Sequence, residues 1–189
     1  MLAYIYCDRR RWTLSLLLIL LLSGCINPTD APPKLIPDTS VAPDLAELAD
    51  GVWAQTLAHF AGRTDCFGDL SLRTVKTLDG RARYDPQTAT IIIEVPATAA
   101  LLKGALVHEF AHHIEFQCAD HELLRPAFLD AQNMSPDTPW LNGASWAETP
   151  SEQYAEASVI YVLGRRQLPT EAAVAPAALQ VLADWASGE

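Results

Sequence analysis

The chain has 189 residues, half of them hydrophobic, and a formal net charge of −10 at pH 7. That length suits one compact domain rather than two. The acidic balance argues against nucleic acid as a partner and against a basic membrane-binding surface, because both require clustered Lys and Arg side chains.

Residues 1–24 have the pattern of an export signal. Three arginines precede the apolar run LSLLLILLL, which is shorter than the roughly 20 residues that a membrane span needs. The segment ends in LSGC, which resembles the lipobox of bacterial lipoproteins. The resemblance implies that Cys25 is lipidated and begins the mature chain, and an uncleaved N-terminal anchor is the alternative. Both interpretations predict an exported protein of the bacterial cell envelope, bound to the membrane at its N-terminus.

The next segment, residues 25–43, is rich in Pro, Asp, Thr and Ser and predicts a flexible tether. Residues 44–189 would then form the folded domain. Two cysteines remain in it, Cys66 and Cys118. In an oxidising compartment we expect them to form a disulfide. A cysteine-type zinc site is a weaker interpretation, because neither residue belongs to a C-x-x-C pair.

Hydrophobic periodicity predicts an α+β fold with a small antiparallel sheet. Alternation and turn signals between residues 70 and 95 indicate two or three antiparallel strands, and the Ile91–Ile93 run indicates a strand with both faces partly covered. Helical patterns are expected at residues 44–61, 97–117, 121–131, 149–164 and 170–187.

The helix at residues 97–117 contains the sequence LVHEFAHHIEFQC. His108 and His112 are four residues apart, so both imidazoles project from one helical face and can bind one Zn²⁺. Glu109 lies at the edge of that face, where it can reach a metal-bound water. This H-E-x-x-H arrangement is typical of zinc metalloproteases. His113 is rotated by about 100° and is expected to pack or to support a ligand.

A catalytic zinc usually has a third protein ligand. The metzincin pattern is excluded, because Glu115 and Cys118 occupy the positions of its Gly and third His. Asp120 and His121 are local candidates. The segment PSEQYAEA offers Glu152 and Glu156, which share a helical face.

PSEQYAEA resembles the second motif of the gluzincins, and it is particularly similar to that of the lethal-factor-type proteases. The resemblance implies a zincin-like domain in which Glu152 is the third ligand and Glu156 supports a ligand histidine. Thr149, Pro150 and Glu152 also fit a capping box. If that box forms, Glu156 becomes the ligand.

The resemblance also concerns the oxyanion and the substrate. The Tyr that stabilises the oxyanion in the lethal-factor-type proteases would fall at Ser145, so the candidate substitutes are His113, His121, Tyr84 and Trp146. The strand IIIEV precedes the motif helix where zincins place a substrate-pairing edge strand, although a core strand fits the sequence as well.

Together these patterns predict a membrane-anchored, zinc-dependent metallopeptidase that cleaves a protein or peptide substrate by Glu-assisted attack of zinc-bound water. Two alternatives remain open. One is an inactive zinc-binding envelope lipoprotein that serves as a binding or assembly module, and the other is a cell-wall amide hydrolase.

Overall fold

The computed structural model describes residues 31–189, and the predicted signal peptide and the predicted lipidation site, Cys25, lie outside that range. The α+β class is confirmed: within the described part there are four strands and five α-helices. In chain order they are β1 (Leu35–Pro37), α1 (Pro43–His59), β2 (Leu70–Val75), β3 (Ala82–Asp85), β4 (Thr90–Glu94), α2 (Ala99–Gln117), α3 (His121–Ala131), α4 (Pro150–Leu163) and α5 (Pro176–Ser187). None of the helices in residues 31–189 is long and apolar enough to cross a membrane.

The sheet is mixed, so the prediction of an antiparallel sheet was wrong. Its strand order is β1-β2-β4-β3, in which β2 pairs in parallel with both β1 and β4, and only β3 and β4 are antiparallel. Burial explains this order. Ile91, Ile92 and Ile93 are at most 2% exposed, which requires neighbours on both sides of β4 and on both its faces. Strand β4 therefore lies between β2 and β3, and the short strand β3 forms an edge of the sheet.

Part of the predicted tether is folded. Leu35 is buried and pairs with Leu70, which makes residues 35–37 a strand of the sheet. The Trp53 indole also donates a hydrogen bond to the carbonyl of Pro33. The folded region thus begins before residue 44, and the tether prediction was wrong for these residues.

Helix α2 lies at the centre of the fold and contacts α1, α4 and the strands β3 and β4. The side chain of Thr98 caps its first turn by accepting a hydrogen bond from the Leu101 N–H. Apolar side chains such as Leu106, Phe110 and Ile114 are fully buried against these neighbours. Because α4 packs along α2, polar residues on their facing surfaces meet.

The other helices agree with the sequence predictions except at one boundary. Helix α5 begins at Pro176, which occupies its first turn, and not at residue 170. Residues 165–175 instead form an irregular connection between α4 and α5. The predicted disulfide is confirmed, since Cys66 and Cys118 are bonded and connect the end of α2 to the turn that follows α1.

Candidate metal centre

Helix α2 presents two imidazoles on one face, one above the other. The Nε2 atoms of His108 and His112 lie 3.2 Å apart. Each side chain keeps 13% of its surface exposed. The other faces of α2 are covered by α1 and the sheet. The two histidines therefore project from α2 into a cleft beside α4.

Glu152 in the first turn of α4 completes this group. Its Oε2 atom lies 2.9 Å from His108 Nε2 and 3.6 Å from His112 Nε2. Burial alone would raise the pKa of Glu152, but the two imidazoles hold its pKa well below the ordinary value. The capping box is not formed, because the Thr149 hydroxyl donates to the carbonyl of Ser145 instead of capping α4.

The spacing of the three atoms fits a single metal ion. The two Nε2 atoms and Oε2 are 2.9, 3.2 and 3.6 Å from one another. Ligand atoms at about 2.0–2.1 Å from a tetrahedral zinc lie about 3.3 Å apart. Two imidazoles and one carboxylate thus form a group that could hold a metal ion, and their spacing is compatible with a zinc site.

Each imidazole also has a carboxylate on its other side. His108 Nδ1 lies 3.2 Å from Glu156 Oε1, and His112 Nδ1 lies 3.3 Å from Glu115 Oε1. With a metal bound, a proton on each Nδ1 that is donated to the carboxylate would leave the Nε2 lone pair free for the ion. The carboxylates therefore favour the tautomer that a metal ligand requires.

Glu115 is held firmly in its position behind His112. The Ser151 hydroxyl donates to it at 2.8 Å, and the Trp140 indole donates at 3.0 Å. Only 1% of the Glu115 side chain is exposed. Burial on its own would raise its pKa, but His112, Ser151 and Trp140 together hold the pKa below the ordinary value. The sequence prediction missed this role, although an acidic residue one helical turn after His112 was a usable signal.

Glu156 has the corresponding position behind His108. Its second carboxylate oxygen, Oε2, lies 3.3 Å from the Thr170 hydroxyl and 3.6 Å from Arg166 Nε. Thr170 and Arg166 belong to the connection between α4 and α5. Glu156 thus lies behind a candidate ligand, where the resemblance had placed it, and it also contacts a segment that the motif does not include.

The cleft as a whole favours positive charge. Burial would lower the pKa of His112, but Glu115 and Glu152 raise that pKa to about 10. The pKa of His108 is likewise raised, because Glu152 and Glu156 outweigh burial. A site that stabilises the charged form of both imidazoles would also stabilise a bound cation.

Glu109 lies beside this group and is only 6% exposed. Burial raises its pKa above that of an ordinary carboxyl group, although His108 and His112 partly oppose the shift. It borders two cavities, of about 300 and 420 Å³. A carboxylate with a raised pKa is a stronger base, and this one is accessible from both cavities.

Two histidines with candidate roles lie in the core. His113 is fully buried and its Nδ1 lies 3.1 Å from the Tyr84 hydroxyl. His121 is also fully buried, with its ring packed against Tyr154 and Trp140. His113 therefore has the packing role that was expected of it. His121 does not reach the group formed by the candidate ligands.

The remaining candidates are spread around the cleft. Tyr84 borders the smaller cavity, but its hydroxyl contacts His113. The Trp146 ring stacks over His108 at 6.0 Å between centroids. Ser145 Oγ donates to Glu148, and Asp120 forms an ion pair with Arg63 at 2.7 Å. Of these, Tyr84 and Trp146 are close enough to the cleft to meet a bound molecule.

Comparison with known proteins found no match to this chain among protein-family models, curated proteins or solved structures.

Proposed function

We propose that this protein is a zinc metallopeptidase of the gluzincin type, anchored to a membrane of the bacterial envelope. His108, His112 and Glu152 are the proposed zinc ligands, and Glu109 is the proposed general base. The observation that carries the proposal is the convergence of two Nε2 atoms and one carboxylate oxygen within 3.6 Å of one another, with a buried Glu109 beside them.

A zinc ion held by these three side chains would polarise the scissile carbonyl and lower the pKa of a water molecule towards about 7. Glu109 accepts the proton of the attacking water and later donates it to the leaving amine. Glu115 and Glu156 keep the two imidazoles oriented through their Nδ1 atoms.

The cleft also offers an edge for an extended substrate. Strand β4, which the sequence suggested for this role, is central in the sheet and cannot accept another strand. Strand β3 pairs only with β4 among the described strands, so its other edge is open. Residues 82–84 of β3 border the cavity next to His108 and Glu109. A peptide that pairs with this edge through backbone hydrogen bonds would lie next to Glu109.

The membrane part of the proposal rests on residues 1–25 of the sequence alone. The lipobox-like LSGC implies a lipid on Cys25, and acyl chains would hold the domain at the membrane surface. The partners are then a protein or peptide substrate and the lipid bilayer. The acidic composition continues to argue against nucleic acid.

The test is a digest of casein and of a peptide library by the zinc-loaded protein and by its Glu109→Ala variant. General-base catalysis contributes about 10²–10⁴-fold to rate, so we expect the variant to lose activity by that factor while it retains its zinc. Glu122→Ala provides a matched control, because Glu122 lies on α3 and its side chain is 76% exposed.

Equal activity of the wild type and Glu109→Ala would contradict the peptidase proposal. Absence of cleavage by a wild type that contains zinc would also contradict it, and would favour the inactive binding module. A parallel digest of cell-wall peptides tests the other alternative: their cleavage without cleavage of casein, dependent on Glu109, would favour the amide hydrolase.

A further inference from the structure

The Glu156 carboxylate is held from two sides. Its Oε1 atom lies 3.2 Å from His108 Nδ1, while its Oε2 atom lies 3.3 Å from the Thr170 hydroxyl and 3.6 Å from Arg166 Nε. Only 9% of the Glu156 side chain is exposed. Burial of an ionised carboxylate to this degree is costly unless both of its oxygens have partners. Thr170 and Arg166 supply the partners of Oε2.

Both partners belong to the connection between α4 and α5, residues 165–175. Helix α4 ends at Gly164, whose φ of 72° lies in the left-handed region and lets the chain turn. After this turn Thr170 meets Glu156, which precedes it by 14 residues. The contact therefore joins the connection to the side of α4 that faces His108.

The connection also lies directly on α2. A Cβ atom at Gly104 would lie 3.0 Å from Gln167 Cβ, so the absence of a side chain permits this close approach. The Arg166 guanidinium donates a hydrogen bond to the carbonyl of Ala172, which fixes it within the connection. The connection thus contacts both the helix that carries the two cleft histidines and the helix that carries Glu156.

The Nε–H of Arg166 is buried and has no hydrogen-bond partner among the described residues. It lies just beyond hydrogen-bonding distance of Glu156 Oε2, with which it forms an ion pair. A buried N–H without an acceptor is unfavourable, and this one is placed to pair with the Glu156 carboxylate. Arg165 differs from its neighbour, because it is exposed and is not one of the partners of Glu156 among the described residues.

We propose that Arg166 and Thr170 are positioning residues of the metal centre, which hold the Glu156 carboxylate so that Oε1 stays against His108 Nδ1. The proposal rests on the proposed zinc site, since it concerns the support of one of its ligands. A fixed, ionised carboxylate keeps the proton on Nδ1 and leaves Nε2 for the ion. Connection and metal are then linked: contacts that strengthen zinc binding are strengthened by bound zinc, by the same factor.

The test is the zinc affinity of the full chain, measured by competition with a chromophoric chelator. Loss of an outer partner costs about 10–100-fold in metal affinity, and Arg166 and Thr170 act one step further from the ion. We therefore expect Arg166→Gln and Thr170→Val each to weaken zinc binding by about 3–10-fold.

Arg165→Gln is the matched control, because it removes the same charge from the exposed neighbour. It should leave zinc affinity unchanged. Removal of a positive charge would by itself favour the binding of a cation. Weaker binding by Arg166→Gln therefore has the opposite sign from a simple charge effect.

The same substitution in a Glu156→Gln background separates positioning from a general effect on the fold. If Arg166 acts through the Glu156 carboxylate, Arg166→Gln should change zinc affinity by less than about twofold in that background. A general distortion of the fold would weaken zinc binding equally in both backgrounds.

A second measurement needs no variant. Trypsin can cut after Arg165 or Arg166, and it needs this segment to detach from Glu156. Cleavage there should slow by the same factor of about 3–10 when zinc saturates the wild-type protein. Cleavage after Lys76, which is exposed in the turn between β2 and β3, is the control and should not change.

Three results would overturn the inference: unchanged zinc affinity in both Arg166→Gln and Thr170→Val, equal effects of Arg166→Gln in the two backgrounds, or cleavage of the connection that zinc does not slow. A wild type that binds no zinc would overturn this inference and the peptidase proposal together. The two are otherwise separable. A protein that shows the Arg166 effect but cleaves no peptide in a Glu109-dependent manner would retain the positioning residues and lose the peptidase function.

Discussion

Two pairs of histidines in this protein have opposite surroundings. His108 and His112 face a cleft lined with carboxylates, whereas His113 and His121 lie in the core among aromatic rings. His112 and His113 are adjacent in sequence, and a rotation of about 100° along the helix separates their environments. The comparison shows that the position of an imidazole on the helix determines which neighbours surround it.

The pKa values follow the same division. Carboxylates raise the pKa of His112 to about 10 in spite of burial. Burial lowers the pKa of both His113 and His121 to about 4. The cleft thus supports positive charge, while the core keeps its imidazoles neutral at pH 7. Each of the following predictions tests one side of this contrast, from the largest expected effect to the smallest.

Replacement of a cleft histidine should affect the metal, and replacement of a core histidine should affect the fold. We expect His108→Ala or His112→Ala to weaken zinc binding by more than about 100-fold, the upper end of what loss of an outer partner costs. His113→Leu should leave zinc affinity within a fewfold of wild type. It should lower the free energy of unfolding by about 1–3 kcal/mol, because the Tyr84 hydroxyl loses a buried partner.

Competition with a chromophoric chelator measures zinc affinity, and urea unfolding measures stability. His59→Ala serves as the control, since His59 lies near the end of α1, away from the cleft. A His113→Leu protein that remains folded but no longer binds zinc would contradict the predicted difference between cleft and core histidines.

The carboxylates behind the imidazoles should have a smaller effect than the ligands. We expect Glu115→Gln or Glu156→Gln to weaken zinc binding by about 10–100-fold, because each loses a charged acceptor for Nδ1. Glu152→Gln should weaken binding further, since it removes a proposed ligand charge. The same chelator competition gives all three values, with Glu122→Gln as the control. A larger loss of zinc affinity for Glu156→Gln than for Glu152→Gln would make Glu156 the ligand and Glu152 the residue that supports a histidine.

His121 should make the protein sensitive to acid. Its pKa is lowered to about 4 in the folded protein, mainly by burial and partly by Arg125, although Glu115 opposes the shift. The unfolded chain binds the proton near pH 6.5. The stabilising effect of a neutral His121 is therefore complete above about pH 6.5 and is lost as the pH falls to about 4.

Protonation of His121 should lower the free energy of unfolding by at most about 3 kcal/mol. Urea unfolding of wild type and His121→Gln between pH 7.5 and 4 measures it. The difference in unfolding free energy between the two proteins should shrink as the pH falls. A difference that stays constant over this range would show that His121 does not titrate with folding.

Features that depend on local spacing could be predicted from the sequence. The positions of His108 and His112 on one face follow from helical geometry. Glu152 and Glu156 are also four residues apart, so they share a face of α4 for the same reason. Features that depend on distant contacts could not be predicted. The role of Glu115 requires Trp140 and Ser151 to meet it from other segments. The insertion of β4 between β2 and β3 likewise depends on pairing that no local pattern specifies.

The disulfide between Cys66 and Cys118 closes a covalent ring that contains β2, β3, β4 and α2. Both motif histidines lie inside this ring, whereas Glu152 lies outside it on the chain that follows. In the oxidised unfolded chain, the histidines remain in one closed loop and Glu152 moves on a separate arm. The Glu152 carboxylate reaches the two histidines only when α4 docks on α2. Metal affinity should therefore report on that docking as well as on the ligands themselves.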